Sequence, residues 1–245
     1  LSASRLRFLH TNDLHGALTD CAVEQLRALR RDVDLYFDSG DCVKAGNLGV
    51  SLGGDPVWEK LHTAGCDVGT IGNRESHPLA RAFRTKVAGA KHVLLCANLR
   101  DRSGHLVLSD RLTVRIGEVR VGIFGVMVPM VTRRMAAARA SSYLWEDPVV
   151  SAEAVVAELR RDHDVVIGIT HIGLKRDLVL AERVGGVDIL FGGHSHSVLG
   201  HPIRVGSCWI CQGGSHARYV GRYEYDLGSR TLTGGLRELA RKSRR

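Results

Sequence analysis

Five short polar clusters stand out along the chain: Asp13-x-His15, Gly40-Asp41, Gly72-Asn73, a lone His171, and Gly192-Gly193-His194-Ser195-His196. Carboxylate, imidazole and amide groups are ligands for divalent transition-metal ions such as Mn, Fe or Zn. The constellation points to two such ions, and a pair of ions in a hard nitrogen/oxygen site points to phosphoryl chemistry. Each cluster follows a run rich in Val, Ile, Leu or Phe that reads as a strand. Polar turns after buried strands are where α/β proteins gather their reactive groups.

A paired-ion site needs one carboxylate shared by both ions. It holds them roughly 3.5–4 Å apart, so that a hydroxide can bridge them at neutral pH. Asp41 is the candidate bridge, because it follows a strand and a glycine that lets backbone and metal approach closely. Asp13, His15 and His196 complete one ion. Asn73, His171 and His194 complete the other, Asn73 through a neutral oxygen. Taken singly, each piece has a bland explanation: Gly-Asp and Gly-Asn are ordinary turns, and a lone His is usually a hydrogen-bonded residue. Five pieces in this order, each after a strand, outweigh those explanations. His10, one residue before the first turn, is a candidate support for a ligand. His62, His92, His105, His163 and His201 read as ordinary surface or loop residues.

The elements that must position these groups follow from periodicity and turn signals. Strands are expected at Arg5 to Leu9, Leu35 to Phe37, Gly65 to Ile71, Val93 to Ala97, Val165 to Thr170 and Val187 to Phe191. Helices are expected at Asp20 to Arg31, Asp55 to Ala64, Pro78 to Val87, Asp147 to Arg161 and Arg176 to Val184, two of them opened by Asp-Pro. Leu106 to Val114 and Glu118 to Val126 read as paired strands, and Val131 to Ala140 as a helical cap. Ile203 to Cys211, Tyr219 to Leu227 and Thr231 to Leu239 read as antiparallel strands. Gly46 to Gly54 is a glycine-rich loop with no Gly-Lys-Ser/Thr after it, so it is not a phosphate loop.

Bulk composition narrows the class. The 245 residues are 44% hydrophobic and 24% charged, enough for a core with an ordinary soluble surface. No apolar run approaches the roughly 18 residues of a membrane span. The net charge of +8 is partly carried by Arg237, Arg241, Lys242, Arg244 and Arg245 at the end of the chain. It reads as a solvated terminus and not as a nucleic-acid footprint, because no aromatic-basic interleaving accompanies it. The six cysteines read as reduced thiols. Cys208-Trp209-Ile210-Cys211 lies in a strand-like run, where residues three apart face opposite ways. The expected compartment is cytoplasmic. A start at Leu1 instead of Met leaves export open.

Thr11-Asn12-Asp13-Leu14-His15-Gly16, Ser39-Gly40-Asp41, Gly72-Asn73, Asp147-Pro148-Val149, Thr170-His171-Ile172-Gly173-Leu174 and Val187 through His196 together resemble the calcineurin-like metallophosphoesterases. Within that superfamily the chain is similar to the catalytic domain of the 5′-nucleotidase family. Gln212-Gly213-Gly214 with Tyr219-Val220-Gly221 resembles the strand pair that closes that domain. The resemblance covers nearly the whole chain and implies a four-layer α/β/β/α sandwich with the metals at the strand ends. On this likeness residues 1–245 form one catalytic domain, without the C-terminal domain whose aromatic residues hold the nucleoside in 5′-nucleotidases. Substrate recognition then falls to the surface loops Val43 to Gly54 and Val128 to Leu144, or to a partner subunit.

The third motif departs from the family pattern. It usually reads Gly-Asn-His-Glu-x-Asp, with the His thought to stabilise the transition state. Here it reads Gly72-Asn73-Arg74-Glu75-Ser76-His77. A guanidinium stays charged and clamps phosphate oxygens through two donors, but does not readily give up a proton. Arg also occupies this position in the related lipid A pathway hydrolases that split a UDP-sugar pyrophosphate.

The expectation is therefore a metal-dependent phosphoric ester hydrolase in which a hydroxide bridging two divalent ions attacks phosphorus. The substrate class is a small phosphomonoester such as a nucleoside 5′-monophosphate. Asp41, Arg74 and His77 are the candidate catalytic residues, and Asn73, Arg74 and His216 the candidate substrate contacts. His77 or His216 protonates the leaving oxygen, His77 being favoured by motif position; its other reading is a helix-start residue before Pro78. Two alternatives stay open: a pyrophosphate hydrolase acting on a nucleotide sugar, and a metal- and ligand-binding sensor or scaffold subunit with little turnover.

Overall fold

The structure is a computed structural model, describing residues 5–51 and 53–240. Leu52 and the terminal cations Arg241, Lys242, Arg244 and Arg245 lie outside the described residues. In chain order the first elements are β1 (Arg5–Thr11), α1 (Asp20–Arg30), β2 (Leu35–Asp38), α2 (Val57–Ala64), β3 (Val68–Thr70), α3 (Ala80–Val87) and β4 (Val93–Leu95). There follow β5 (Leu99–Asp101), β6 (Arg111–Ile116), β7 (Val119–Met127), a 3₁₀ turn (Ala136–Arg139) and β8 (Tyr143–Trp145). The remainder holds α4 (Pro148–Leu159), β9 (Val165–His171), α5 (Leu174–Arg183), β10 (Ile189–Gly192), β11 (Ile203–Val205), β12 (Cys208–Gln212), β13 (Tyr219–Asp226) and β14 (Thr231–Glu238).

Two six-stranded sheets form, in the orders β14-β13-β1-β2-β3-β4 and β11-β12-β10-β9-β7-β6, beside a small β5-β8 ribbon. Residues from both sheets share one core: Phe8, Phe37 and Val68 from the first pack with Ile123, Ile167, Ile169, Ile189 and Phe191 from the second. The opposite face of the first sheet buries Leu9 and Tyr36 against Val23 and Leu26 of α1 and Trp58 and Leu61 of α2. The opposite face of the second buries Phe124, Val166 and Leu190 against Val155, Val156 and Leu159 of α4 and Leu180 of α5. The result is the four-layer α/β/β/α sandwich. Strand β9 is buried at every residue, which is why its sequence reads as an unbroken apolar run without alternation.

Local signals set the helix starts. The Thr19 side chain caps α1 by accepting from the Ala22 amide, and Asp147 caps α4 through Val149 and Val150, with Pro148 next. Gly65, in the left-handed region at φ 81°, ends α2. Helix α3 begins two residues later than expected, because Leu79 is extended at φ −95°, ψ 127°.

Three expectations need correction. Ile203 to Cys211 is a hairpin, not one strand, turning at Gly206-Ser207. Its second arm, β12, runs parallel to β10 in the second sheet, while β13 and β14 belong to the first. Leu106 to Asp110 stays outside the ladder, since β6 starts at Arg111. Of Val131 to Ala140, only a single 3₁₀ turn is helical, and the ribbon of β5 and β8 beside it was not expected. Cys208 and Cys211 do face opposite layers, one toward the α4/α5 helices and one between the sheets. All six cysteines are free thiols.

Phe191 is the hub between the sheets. Its ring lies 5.1 Å from Phe37, 5.8 Å from Phe8, 5.7 Å from Tyr223 and 5.0 Å from the His10 imidazole. Phe191→Ala is expected to lower the unfolding free energy by about 3–5 kcal/mol, and Phe191→Leu by less, as read from denaturant midpoints. Equal stability of Phe191→Ala and wild type would show that the inter-sheet layer collapses around the gap.

Candidate metal centre

The site forms because parallel strands of both sheets end on the same edge. Strands β1, β2 and β3 run parallel in one sheet and β7, β9 and β10 in the other. The parallel course of β1 and β2 continues past their ends through Asp13 N to Gly40 O (2.9 Å), His15 N to Asp41 O (2.9 Å) and Gly16 N to Cys42 O (2.7 Å). The second sheet docks on these turns: the Ser39 hydroxyl donates to Phe191 O at 2.7 Å, and the His194 amide donates to Asp13 Oδ2 at 2.9 Å.

Asp13, His15, Asp41, His194 and His196 all have positive φ, between 50° and 77°, and so does His216 beside them at 57°. Non-glycine residues seldom adopt that region, and when they cluster there the strain belongs to a functional arrangement. Two glycines make the approach possible. A Cβ on Gly72 would stand 2.2 Å from Asp41 Oδ1. A Cβ on Gly193 would press on Asp13 Oδ2, Ser39 O and His171 Nδ1 at 3.0–3.1 Å.

The structure brings all seven expected ligands together. Asp13, His15 and His196 offer donor atoms within ligand reach of one another, and so do Asp13, Asp41 and His171. The Nε2 atoms of His15 and His196 are 3.0 Å apart and lie 3.8 Å and 3.3 Å from Asp13 Oδ1. His171 Nε2 lies 3.4 Å from Asp41 Oδ1 and 3.3 Å from Asn73 Oδ1, which is itself 2.9 Å from His194 Nδ1. Asp13 is thus the carboxylate common to both groups. Asp41 interacts electrostatically with His171 of one group and His15 of the other.

These donors suit a cation. Asp13 Oδ1 is buried and accepts no hydrogen bond. An anionic oxygen left that way is costly unless a positive charge faces it. The His171 Nδ1–H donates to Ser39 O at 2.7 Å, which turns Nε2 to Asp41 and Asn73, where a cation would take the place of its proton. Burial opposes charging His171, yet Asp41 and Asp13 outweigh it and pull its pKa up to about 9. Burial likewise works against ionising Asp41, but His171 and the Arg74 amide hold its pKa at about 2. Burial and the Arg74 charge push His15 down to about 4, so its ring stays neutral and available as a ligand.

The three residues expected to do more than bind metal are placed differently. The Arg74 amide donates to Asp41 Oδ1 at 2.7 Å, its Nε lies 3.8 Å from Asp41 Oδ2, and its Nη1 donates to Lys44 O at 3.1 Å. The His216 ring centroid is 4.8 Å from that of His15 and 6.1 Å from that of His196, on the exposed side of the centre. His77 is buried just before α3: its Nδ1 accepts from the Leu79 amide at 3.0 Å, and its ring approaches the Leu48 backbone. Among the described residues, no hydrogen bond joins it to any of the seven.

Several supporting residues were not anticipated. Glu75 is fully buried and accepts from the amides of Asp41 (2.8 Å), Gly72 (2.8 Å) and Val43 (3.0 Å), so one carboxylate knits the second and third turns. Asn12 donates to Asp13 Oδ2 and Gly214 O at 2.7 Å each, and accepts from Gly213 N at 2.8 Å. Buried Asp177 accepts from Thr170 (2.6 Å) and Gln212 (2.7 Å), and the Gln212 oxygen accepts from Ser195 (2.9 Å), between the two turn histidines. Burial raises the Asp177 pKa to about 7. His10 does support the centre: its Nε2 meets Ser39 Oγ at 2.9 Å, and burial drops its pKa to about 3. Adjacency to a ligand could have flagged Asn12 and Glu75. Nothing local marks Asp177 or Gln212, which arrive from separate elements.

Residues 6–198 match the calcineurin-like phosphoesterase family, and the chain belongs to it. This is a family of phosphoric ester hydrolases. The chain is 28% identical to a 5′-nucleotidase of Mus musculus over 81% of its own length and 39% of that protein's. It is 26% identical to a 2′,3′-cyclic-nucleotide 2′-phosphodiesterase/3′-nucleotidase of Salmonella typhimurium, over 79% and 37% of the two lengths. It therefore spans well under half the length of these relatives. The crystal structure of a 5′-nucleotidase precursor from Thermus thermophilus shares the fold, with TM-score 0.77 at 21% identity over 96% of this chain and 54% of that one.

Removing the Glu75 acceptor is expected to loosen Asp41. Glu75→Gln turns an amide NH₂ toward backbone donors and is expected to weaken Mn²⁺ binding by about 10–100-fold, measured by metal titration of the purified protein. Unchanged affinity would mean that the Asp41 turn is held without it.

Proposed function

We propose that the chain hydrolyses a small phosphomonoester of the nucleoside 5′-monophosphate type, at a centre that holds two divalent ions. The observation that carries this reading is the buried, hydrogen-bond-free Asp13 Oδ1 of a carboxylate set among three imidazoles and a second carboxylate. Asp13, His15 and His196 hold one ion, and Asn73, His171 and His194 the other. Asp41 is shared, supported by its interaction with His171 and His15, and Asp13, whose oxygens reach donors of both sets, lies beside it. Mn, Fe and Zn all fit this donor set. Bound there, the ions would neutralise phosphoryl charge and supply a water-derived nucleophile at neutral pH.

The chain's own residues do the rest. Asp41, ionised and pinned by the Arg74 amide and Glu75, fixes the spacing of the donors. The Arg74 guanidinium, beside Asp41 and partly exposed, aims its free donors at the non-bridging oxygens of the phosphoryl group, where charge builds up. His216 lies on the exposed side next to His15 and His196 and is the group to protonate the leaving oxygen. His77 is assigned the helix-start role that its bond from the Leu79 amide describes. Nucleotide-processing relatives support a nucleotide as substrate. Arg74 at this motif position also favours a second reading, hydrolysis of a nucleotide-sugar pyrophosphate.

Chelator-treated protein is expected to release no phosphate from an aryl phosphate or from 5′-AMP, and added Mn²⁺ to restore release. Asp41→Asn is expected to cut kcat/KM by more than the roughly 100-fold typical of a supporting residue. Activity that survives Asp41→Asn would come from a contaminant and sink the assignment. Arg74→Ala is expected to lower kcat by about 10²–10³-fold; an unchanged rate would remove the electrostatic role. Orthophosphate as the sole phosphorus product supports the monoester reading, and two phosphorylated products from a UDP-sugar support the other.

A further inference from the structure

The glycine-rich loop after Asp41 is fastened segment by segment to the turn that carries Asn73. Arg74 Nη1 donates to Lys44 O, and the His77 ring approaches the Leu48 backbone. Between these, the Lys86 ammonium of α3 donates to Gly46 O at 2.8 Å and Asn47 O at 2.9 Å. Lys86 is buried, 5% exposed, and among the described residues forms no ion pair. A buried ammonium normally costs stability unless a carboxylate meets it. Here its donors are given to two loop carbonyls instead. The next link is Asn47, whose Oδ1 accepts from Asn73 Nδ2 at 2.9 Å.

That link decides which end of the Asn73 amide faces the metal centre. With Nδ2 engaged by Asn47, Oδ1 is turned to His171 Nε2 and His194 Nδ1. Rotated by half a turn, the same side chain would present two N–H donors, which repel a cation and offer it no lone pair. Unlike Asp41 or the histidines, an amide carries no charge that would orient it toward the ion.

We propose that Asn47 and Lys86 are positioning residues for the cation site of Asn73, His171 and His194: Lys86 pins residues 46 and 47 of the loop, and Asn47 then holds the Asn73 oxygen toward that site. This rests on the metal reading proposed above. Neither residue is among the seven ligand candidates.

The test is Mn²⁺ titration of the full chain, reading stoichiometry, the two dissociation constants and the spin coupling of a manganese pair. Asn47 is exposed, so Asn47→Ala leaves the fold intact and decides the matter even if Lys86→Met does not fold. Asn47→Ala and Lys86→Met are expected to weaken one ion by about 10–100-fold, leave the other near its wild-type affinity and abolish spin coupling at limiting Mn²⁺. Asn47→Asp keeps the acceptor oxygen and is expected to restore coupled binding. Two ions bound by Asn47→Ala with wild-type affinities and coupling overturns the inference. Wild-type protein that takes up no Mn²⁺, or Asp41→Asn that takes up two ions as tightly as wild type, is a separate result. It overturns the metal reading itself, and this inference with it.

Discussion

Two carboxylates, Asp13 and Asp41, are buried where two sheets meet, and the surrounding architecture answers the charge they bring. Removing an ionised carboxylate from water costs several kcal/mol even in a relaxed protein. Part of that cost is offset by backbone amides: His194 N on Asp13, and Arg74 N on Asp41. Part falls to His171, whose pKa rises despite complete burial. Asp13 Oδ1 still lacks a donor. A site that leaves one carboxylate oxygen unsatisfied, with the ring nitrogens of His15 and His196 turned to it, is completed by cations more fully than by protons. Strain points the same way, since five of the seven ligand candidates hold left-handed backbone that only a well-supported turn can maintain.

The sandwich provides that support by bringing the ends of parallel strands from both sheets to one edge. A single sheet could deliver Asp13, Asp41 and Asn73, but not the three histidines that follow β9 and β10. Phe191 sits between the sheets with its ring among Phe8, Phe37 and Tyr223, while its carbonyl accepts from Ser39 at the edge of the centre. Inter-sheet packing and ligand geometry are therefore one mechanical unit. The ligand turns are in turn cross-linked from outside, by Glu75 on the first sheet's side and by the Thr170–Asp177–Gln212–Ser195 chain on the second's.

Much of this was legible in the sequence, for identifiable reasons. Apolar runs ending in Asp-x-His, Gly-Asp or Gly-Gly-His-Ser-His state both a strand and its cargo, and the seven ligand candidates converge as their order implied. Asp147-Pro148 stated a helix start through cap chemistry that needs no tertiary context. The failures have the opposite cause. Gly206-Ser207 inside Ile203 to Cys211 is a two-residue hairpin signal, but nothing local marks the switch of the second arm to a parallel partner. Strands β5 and β8 have three residues each and owe their form to each other. Asp177 and Lys86 look like ordinary helix-surface charges; only burial by neighbours distant in sequence makes them structural.

The departure at Arg74 and His77 becomes intelligible on the same physical grounds. Both side chains are engaged with the backbone of the loop at 44–48, and Asn73 reaches the same loop through Asn47. A guanidinium does this work beside Asp41, whereas the His77 Nδ1 is taken up by the Leu79 amide, away from the seven ligand candidates. On the proposed reading, proton transfer comes from the other side of the centre. There His15, His196 and His216 form a group of three rings, and the ring of His216 is exposed and next to the ligands. On the proposed reading, loop architecture and electrostatic stabilisation fall to the third motif and acid chemistry to the turn before β13, a division that separates two tasks which a histidine in the third motif would combine.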